Sequence, residues 1–273
     1  MHRCSLALLA LIPGTASAYA PADEAPIHPG VMTYTSGGQC TANFIYTGGG
    51  NTYIGQAAHC AGTGAATDTN GCDAGSLPLG TTVEIDGASK PGTLAYSSWI
   101  AMQQRGETNV SACDYNDFAL VKIDPADVAK VNPSVPGFGG PVGLGGPVGL
   151  GGPSGTGDDV FSYGNSSLRL GITYLSPKQG KHVATQGGGG WNRQVYTATP
   201  GIPGDSGSGF LNDTGGAIGT LSTVAIAPLA GSNGVAALGR ELDYANASGT
   251  PAALESGTEP FTPDVVGAIA GGG

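Results

Sequence analysis

The chain has 273 residues, among them 50 glycines and 19 prolines, with 11% charged residues and a formal net charge of −10. Glycine costs about 1 kcal/mol and proline about 3 at an interior helix position, so this composition excludes a largely helical protein, and the lack of a strict glycine period excludes collagen. With ten Lys and Arg in all, the chain lacks the clustered cations that phosphate contacts demand, and no nucleic-acid partner is expected.

In chain order, residues 1–20 place Arg3 before a short apolar block at 6–12 and the small-residue strings Ala16-Ser17-Ala18 and Ala18-Tyr19-Ala20, the layout of a cleaved secretory signal. Residues 21–30 are then set apart as a candidate short propeptide. No other run approaches the roughly 20 apolar residues of a membrane helix, so the expectation is a secreted, extracellular protein with no membrane partner. Alternating apolar patterns between turn signals predict strands at 41–46, 51–56, 81–86, 92–100 and 117–123, within a first unit spanning 31–136. A second set at 159–163, 168–175, 195–199, 209–211 and 217–224 falls within a unit spanning 156–250. Many short strands with glycine turns and almost no helical periodicity predict an all-β protein of closed sheets.

Between the two units, residues 137–155 write Pro-Val-Gly-Leu-Gly-Gly twice and read as a Gly/Pro-rich linker. Residues 235–245 carry apolar side chains at helical spacing and predict one short helix, and 251–273 read as a loosely held tail. Asn-x-Ser/Thr strings at Asn109, Asn165, Asn212 and Asn246 mark surface loops.

Three strings carry chemistry: Ala57-Ala58-His59-Cys60, then Asn116-Asp117-Phe118-Ala119-Leu120, then Gly204-Asp205-Ser206-Gly207. A histidine titrates near neutral pH and can activate a hydroxyl, a carboxylate can orient that histidine, and glycines let a serine and its neighbouring N–H groups share one tight turn. A serine among glycines is by itself usually only a turn, and a lone histidine is usually structural; it is the combination in the order His, Asp, Ser that points to catalysis. Asp114 is the rival carboxylate, but Asp117 heads the apolar run 118–123, and His182, between Lys181 and Val183, reads as an exposed loop residue.

These strings resemble the signature stretches of the chymotrypsin-like (trypsin-like) serine proteases, specifically the secreted microbial type, over residues 31–250. The resemblance implies two six-stranded antiparallel β-barrels with a short C-terminal helix and an active site between them. It further implies a serine endopeptidase with Ser206 as nucleophile, His59 as general base and Asp117 as its orienting acid, and an oxyanion hole from the N–H groups of Gly204 and Ser206. Five cysteines become four once Cys4 leaves with the signal. The resemblance implies a Cys40–Cys60 bridge, and Cys72 and Cys113 remain to pair with each other. A zinc site is disfavoured because no two cysteines have C-x₂₋₄-C spacing.

Asp205, beside the nucleophile, needs a cation once buried. Relatives from animals use a new N-terminus, but an Ile-Val-Gly-Gly start is missing here, so Arg169 or Arg193 is the expected partner. Pro200 occupies the position six before Ser206, where trypsin-like members carry an aspartate. Ser222, Thr223 and Val224 match the strand edge that pairs with substrate. The expected cleavage is after small or medium apolar residues, in protein or peptide substrates, by a monomer with no cofactor and no metal. The alternative is a non-catalytic secreted binding protein on the same fold. An esterase of the α/β-hydrolase class would need the order Ser, Asp, His and a Gly-x-Ser-x-Gly turn, which 204–208 lack.

Overall fold

The computed structural model describes residues 19–36, 38–65, 69–145, 156–225 and 231–271. Its first half holds strands β1 (Met32–Thr35), β2 (Gly38–Thr41), β3 (Ile45–Gly48), β4 (Asn51–Gln56), β5 (Thr82–Ile85), β6 (Gly92–Ser97) and β7 (Ala119–Lys122), with helices α1 (Ser98–Arg105) and α2 (Val110–Tyr115) between the last two. Its second half holds β8 (Asp159–Tyr163), β9 (Pro177–Gln186), β10 (Asn192–Thr197), β11 (Gly209–Asn212), β12 (Ala217–Ala225) and β13 (Ser232–Ala237), followed by α3 (Leu238–Ala247), β14 (Ala253–Leu254) and α4 (Val265–Gly271). All the strand ladders are antiparallel. The second half closes into a six-stranded barrel in the order β10-β13-β12-β11-β8-β9, and the seven strands of the first, joined by β14, form an eight-stranded sheet in the order β14-β3-β4-β7-β6-β5-β1-β2. Residues 42–44 join the last strand of that sheet to β3, so it curls back on itself instead of lying open.

The strand period of two sorts the apolar side chains into separate cores. In and beside β7, Ala119 and Val121 fill the interior of the first sheet, while Phe118 and Leu120 face a second cluster with Phe161, Leu211 and Leu242 from the other half. Residues of β3 and β4 divide in the same way: Ile45 and Ile54 point inward, Tyr46 and Tyr53 toward the other half. A third cluster of Val160, Val195, Phe210, Ile218, Leu221 and Val235 fills the second barrel. A strand buried on both faces reads as a continuous apolar run, as at 118–121, before Lys122 reaches solvent.

Several elements differ from expectation. Residues 168–175 form two 3-10 turns, Ser167–Arg169 and Thr173–Leu175, because Leu170 and Gly171 adopt left-handed φ values of 53° and 80° that a strand cannot hold. The barrel strand in that part of the chain is β9, whose polar sequence hid it. His182 lies on β9 and is 1% exposed, not an exposed loop residue. The strand expected over 92–100 stops at Ser97 and turns into α1, and Val235–Ala237 end β13, so the C-terminal helix starts at Leu238. The first-half sheet is eight-stranded rather than six-stranded: it holds all seven strands of the first half, β1 to β7, and β14 from near the end of the chain.

Nor is the region after 250 loosely held: Ala253 pairs with Thr47, Glu255 N–H donates to Ile45 O at 2.9 Å, and the Phe261 ring meets Phe161 at 5.5 Å. In the expected linker, Phe138 is buried and Gly140 N–H donates to Glu259 O at 2.9 Å, whereas 146–155, with most of the repeat, lie outside the described residues. Of the expected signal segment 1–20, residues 1–18 also lie outside them. Among the described residues, no helix is long and apolar enough to cross a membrane.

Candidate active site

Strand pairing brings His59 and Asp117 together. In the β4–β7 ladder Gln56 stands opposite Ala119, so the chain leaving β4 and the chain entering β7 emerge side by side. His59 sits three residues past Gln56 in a 3-10 turn, Ala58–Ala61, and Asp117 sits two before Ala119. Asp117 Oδ2 lies 2.6 Å from His59 Nδ1, and Oδ1 accepts the His59 main-chain N–H at 2.8 Å. Ser222 Oγ, from β12 of the other half, donates to Asp117 Oδ2 at 2.6 Å.

The carboxylate is almost fully buried, and the imidazole keeps 29% of its side chain exposed. Burial alone would raise the Asp117 carboxyl, but the facing imidazole and the bonds from His59 and Ser222 hold it below the ordinary value. Burial would lower His59, but the charge of Asp117 and its hydrogen bond outweigh that and lift the imidazole above 6.5.

Ser206 is held on a turn anchored from the first half. Thr41 N–H donates to Ser206 O at 2.8 Å, while Gly204 O accepts from Gln39 Nε2 at 2.9 Å and Thr41 Oγ1 at 2.7 Å. Gly204 and Gly207 have φ of +97° and +91°, and a side chain at Gly207 would sit 2.6 Å from Thr41 O and 2.8 Å from Ala57 N, so only glycine fits there. Among the backbone hydrogen bonds of this turn, Asp205 N–H donates to Ile202 O and Gly207 N–H to Leu221 O. The N–H groups of Gly204 and Ser206 donate to no backbone acceptor among the described residues.

His59, Asp117, Ser206, Ser222, Thr223 and Val224 all line one cleft of about 670 Å³, with Gln39, Trp99, Ile202 and Pro203. No hydrogen bond joins Ser206 Oγ to the imidazole in this structure, a bond that in ligand-free sites often tightens only with substrate. Pro200 does not line the cleft; Ile202 and Pro203 take that place. Ser222, expected only as part of a substrate-pairing edge, commits its hydroxyl to Asp117.

Asp205 is fully buried, and Arg169 grips it through both terminal nitrogens at 2.5 Å, with Lys178 Nζ at 3.3 Å as a second cation. Burial lowers the Lys178 ammonium to about 8 against the pull of Asp205. Arg193 serves elsewhere: its Nη1 donates to Ile218 O at 2.7 Å inside the barrel. Asp114 lies on α2, half-buried, 3.5 Å from Asn70 Nδ2 and away from the cleft lining.

Disulfides join Cys40 to Cys60 and Cys72 to Cys113. The first ties β2 to the turn carrying His59, and the second anchors α2 just ahead of Asp117. Cys40, His59 and Cys60 place their potential ligand atoms within 4.8 Å of one another, but both sulfurs are committed to a disulfide and cannot act as thiolate ligands.

This fold is that of the chymotrypsin-like serine proteases. No family model and no curated protein sequence matches the chain. Among solved structures it is similar to Protease A of Thermobifida fusca, with a TM-score of 0.54 and 18% identity, covering 85% of this chain and 99% of that one. It is likewise similar to a chymotrypsin of Cellulomonas bogoriensis, at TM-score 0.51 and 17% identity over 84% of this chain and 98% of that one. A glutamic-acid-specific serine protease that uses a histidine triad in substrate binding aligns at TM-score 0.50 and 17% identity, covering 84% of this chain and all (100%) of that one.

Proposed function

We propose that the protein is a secreted serine endopeptidase acting through an acyl-enzyme. Ser206 Oγ attacks the scissile carbonyl while His59 Nε2 takes its proton; His59 then returns the proton to the leaving amine, and water repeats the cycle to free the acid. Asp117 fixes the imidazole with Nδ1–H toward the carboxylate and stabilises the imidazolium. The N–H groups of Gly204 and Ser206 hold the oxyanion, each such donor being worth about 10² to 10³ in rate. The observation that carries this reading is the buried Asp117, bonded at once to His59 and Ser222, in the same cleft as Ser206. A carboxylate is costly to bury, and here three donors converge on it from both halves of the molecule.

Specificity for a small or medium apolar residue before the scissile bond is supported by the cleft lining. Apart from His59 and Asp117, it holds no ionisable side chain among the described residues, and Ile202, Leu221 and Val224 contribute apolar surface. One histidine among these lining residues is not the triad that names the glutamate-specific neighbour. The signal-like segment 1–20 and two disulfides support export and an extracellular site of action, whereas the candidate propeptide 21–30 is packed into the fold, with Ile27 fully buried in the first core.

The test is labelling by a fluorophosphonate probe. Wild type is expected to label, with Ser206→Ala and His59→Ala silent; equal labelling of all three, or of none, would leave a binding protein on a protease fold.

A further inference from the structure

Helix α3 carries a carboxyl that the catalytic scheme leaves unused. Glu241 is fully buried; its Oε2 accepts from Thr220 Oγ1 at 2.9 Å, and its Oε1 has no hydrogen-bond partner. A buried carboxyl with one bare oxygen is expensive to keep.

Its position is specific. Thr220 lies on β12 two residues before Ser222, the residue whose hydroxyl holds Asp117. Thr220 also receives Asn43 Nδ2 at 3.5 Å from the first half, and Asn43 Oδ1 accepts the Tyr46 hydroxyl at 2.9 Å. Glu241 therefore closes a chain of polar contacts that crosses from one half to the other behind the triad. The charged and titratable groups coupled to it electrostatically are Asp117 ahead of β7, Arg193 on β10, Tyr46 on β3 and Tyr96 on β6. Burial pushes the Glu241 carboxyl up to about 8; the Thr220 bond and Arg193 oppose the rise, and the Asp117 charge adds to it.

Resting on the protease reading, we infer that Glu241 is a positioning residue for Asp117: from behind the triad it anchors the Thr220–Ser222 stretch and, by gaining or losing a proton, sets how much negative charge faces the Asp117–His59 pair. Protonated, it leaves Asp117 as the sole anion stabilising the imidazolium. Ionised, it adds a second negative charge in a low-dielectric interior and makes His59 the stronger base.

The experiment uses the full chain as wild type, Glu241→Gln and Glu241→Ala. Two quantities are followed from pH 5 to 10: the rate of fluorophosphonate labelling and the ring signals of His59 by NMR. Wild-type labelling is expected to climb in two steps, the second near the Glu241 value of about 8, and Glu241→Gln to climb in one while keeping the neutral-pH rate within about threefold. Glu241→Ala, which strips the acceptor from Thr220, is expected to label about tenfold more slowly. The His59 ring signals should show a further movement near pH 8 in wild type, as Glu241 ionises, that Glu241→Gln lacks. If Glu241→Ala fails to fold, the isosteric Gln variant decides alone. Superimposable wild-type and Gln profiles in both readouts overturn the inference. If wild type does not label at all, the protease reading falls, and the two NMR titrations still judge Glu241: a wild-type His59 signal that does not move near pH 8 refutes its coupling to His59, and a movement lost in Glu241→Gln supports it.

Discussion

Arg169 holds Asp205 through two parallel bonds of 2.5 Å, with 7% of the arginine side chain and none of the aspartate exposed. This pair fixes the carboxylate one residue before Ser206, so the turn that presents the hydroxyl rests on a cation supplied by the chain's own second half. The sequence narrowed the partner to Arg169 or Arg193; only the fold separates them. The alternative, a trimmed N-terminal amine, has no role to fill when the carboxylate is already paired.

Replacing Arg169 with Ala is expected to cost about 3 to 5 kcal/mol, the range for breaking a buried pair and stranding its partner. Lys178 at 3.3 Å brings the loss toward the lower end. Arg169→Lys should recover only part of it, since an ammonium cannot make the two-pronged contact. Denaturant unfolding of the three forms measures the cost; a loss below about 0.5 kcal/mol for Ala, the ordinary scatter of surface changes, would show that the pair is not a support of the turn.

The His59–Asp117 pair sets opposing pH trends for stability and rate. His59 has a raised folded value, so its contribution is complete below 6.5 and disappears as pH climbs through that raised value. Asp117 has a lowered folded value, so its contribution is present above 3.8 and disappears as pH falls through the lowered one. The pair therefore stabilises most between about 4 and 6.5, and the stability gap between wild type and His59→Ala should be widest there. Labelling of Ser206 needs neutral imidazole and should instead rise as pH passes above 6.5. Coincident stability curves for the two proteins, or a labelling rate flat across that range, would contradict the coupling.

Ser222→Ala should lower kcat about tenfold with little change in KM, because it removes one of three donors from the buried Asp117 and leaves the cleft wall in place. Steady-state kinetics on a peptide ester decides this. A change confined to KM would mean that Ser222 acts on substrate directly.

Gly207→Ala is expected to abolish labelling while retaining the barrel, since φ is +91° and the new methyl would lie 2.6 Å from Thr41 O and 2.8 Å from Ala57 N, both backbone atoms. Left-handed strain costs about 1 to 3 kcal/mol, and the clash displaces the serine turn from the strand that anchors it. A variant that labels at the wild-type rate would refute this.

What the sequence determined by itself was local. Glycines at 204 and 207 announce a turn that only they can make, Asp117 announces itself by heading a run apolar on both faces, and glycine-punctuated short strands announce closed β structure. The signals failed where burial was polar. Lys178 and His182 are buried on β9, so a strand of the barrel looked like a solvated loop; exposed Leu168 and Leu170 made a pair of turns look like a strand. Side-chain period reports which face is apolar and says nothing of which polar groups find partners inside. Those pairings, Arg169 with Asp205, Ser222 with Asp117 and Thr220 with Glu241, join residues 36, 105 and 21 positions apart. Only the tertiary structure decided them, because a buried charge or hydroxyl is stable only where folding delivers its complement.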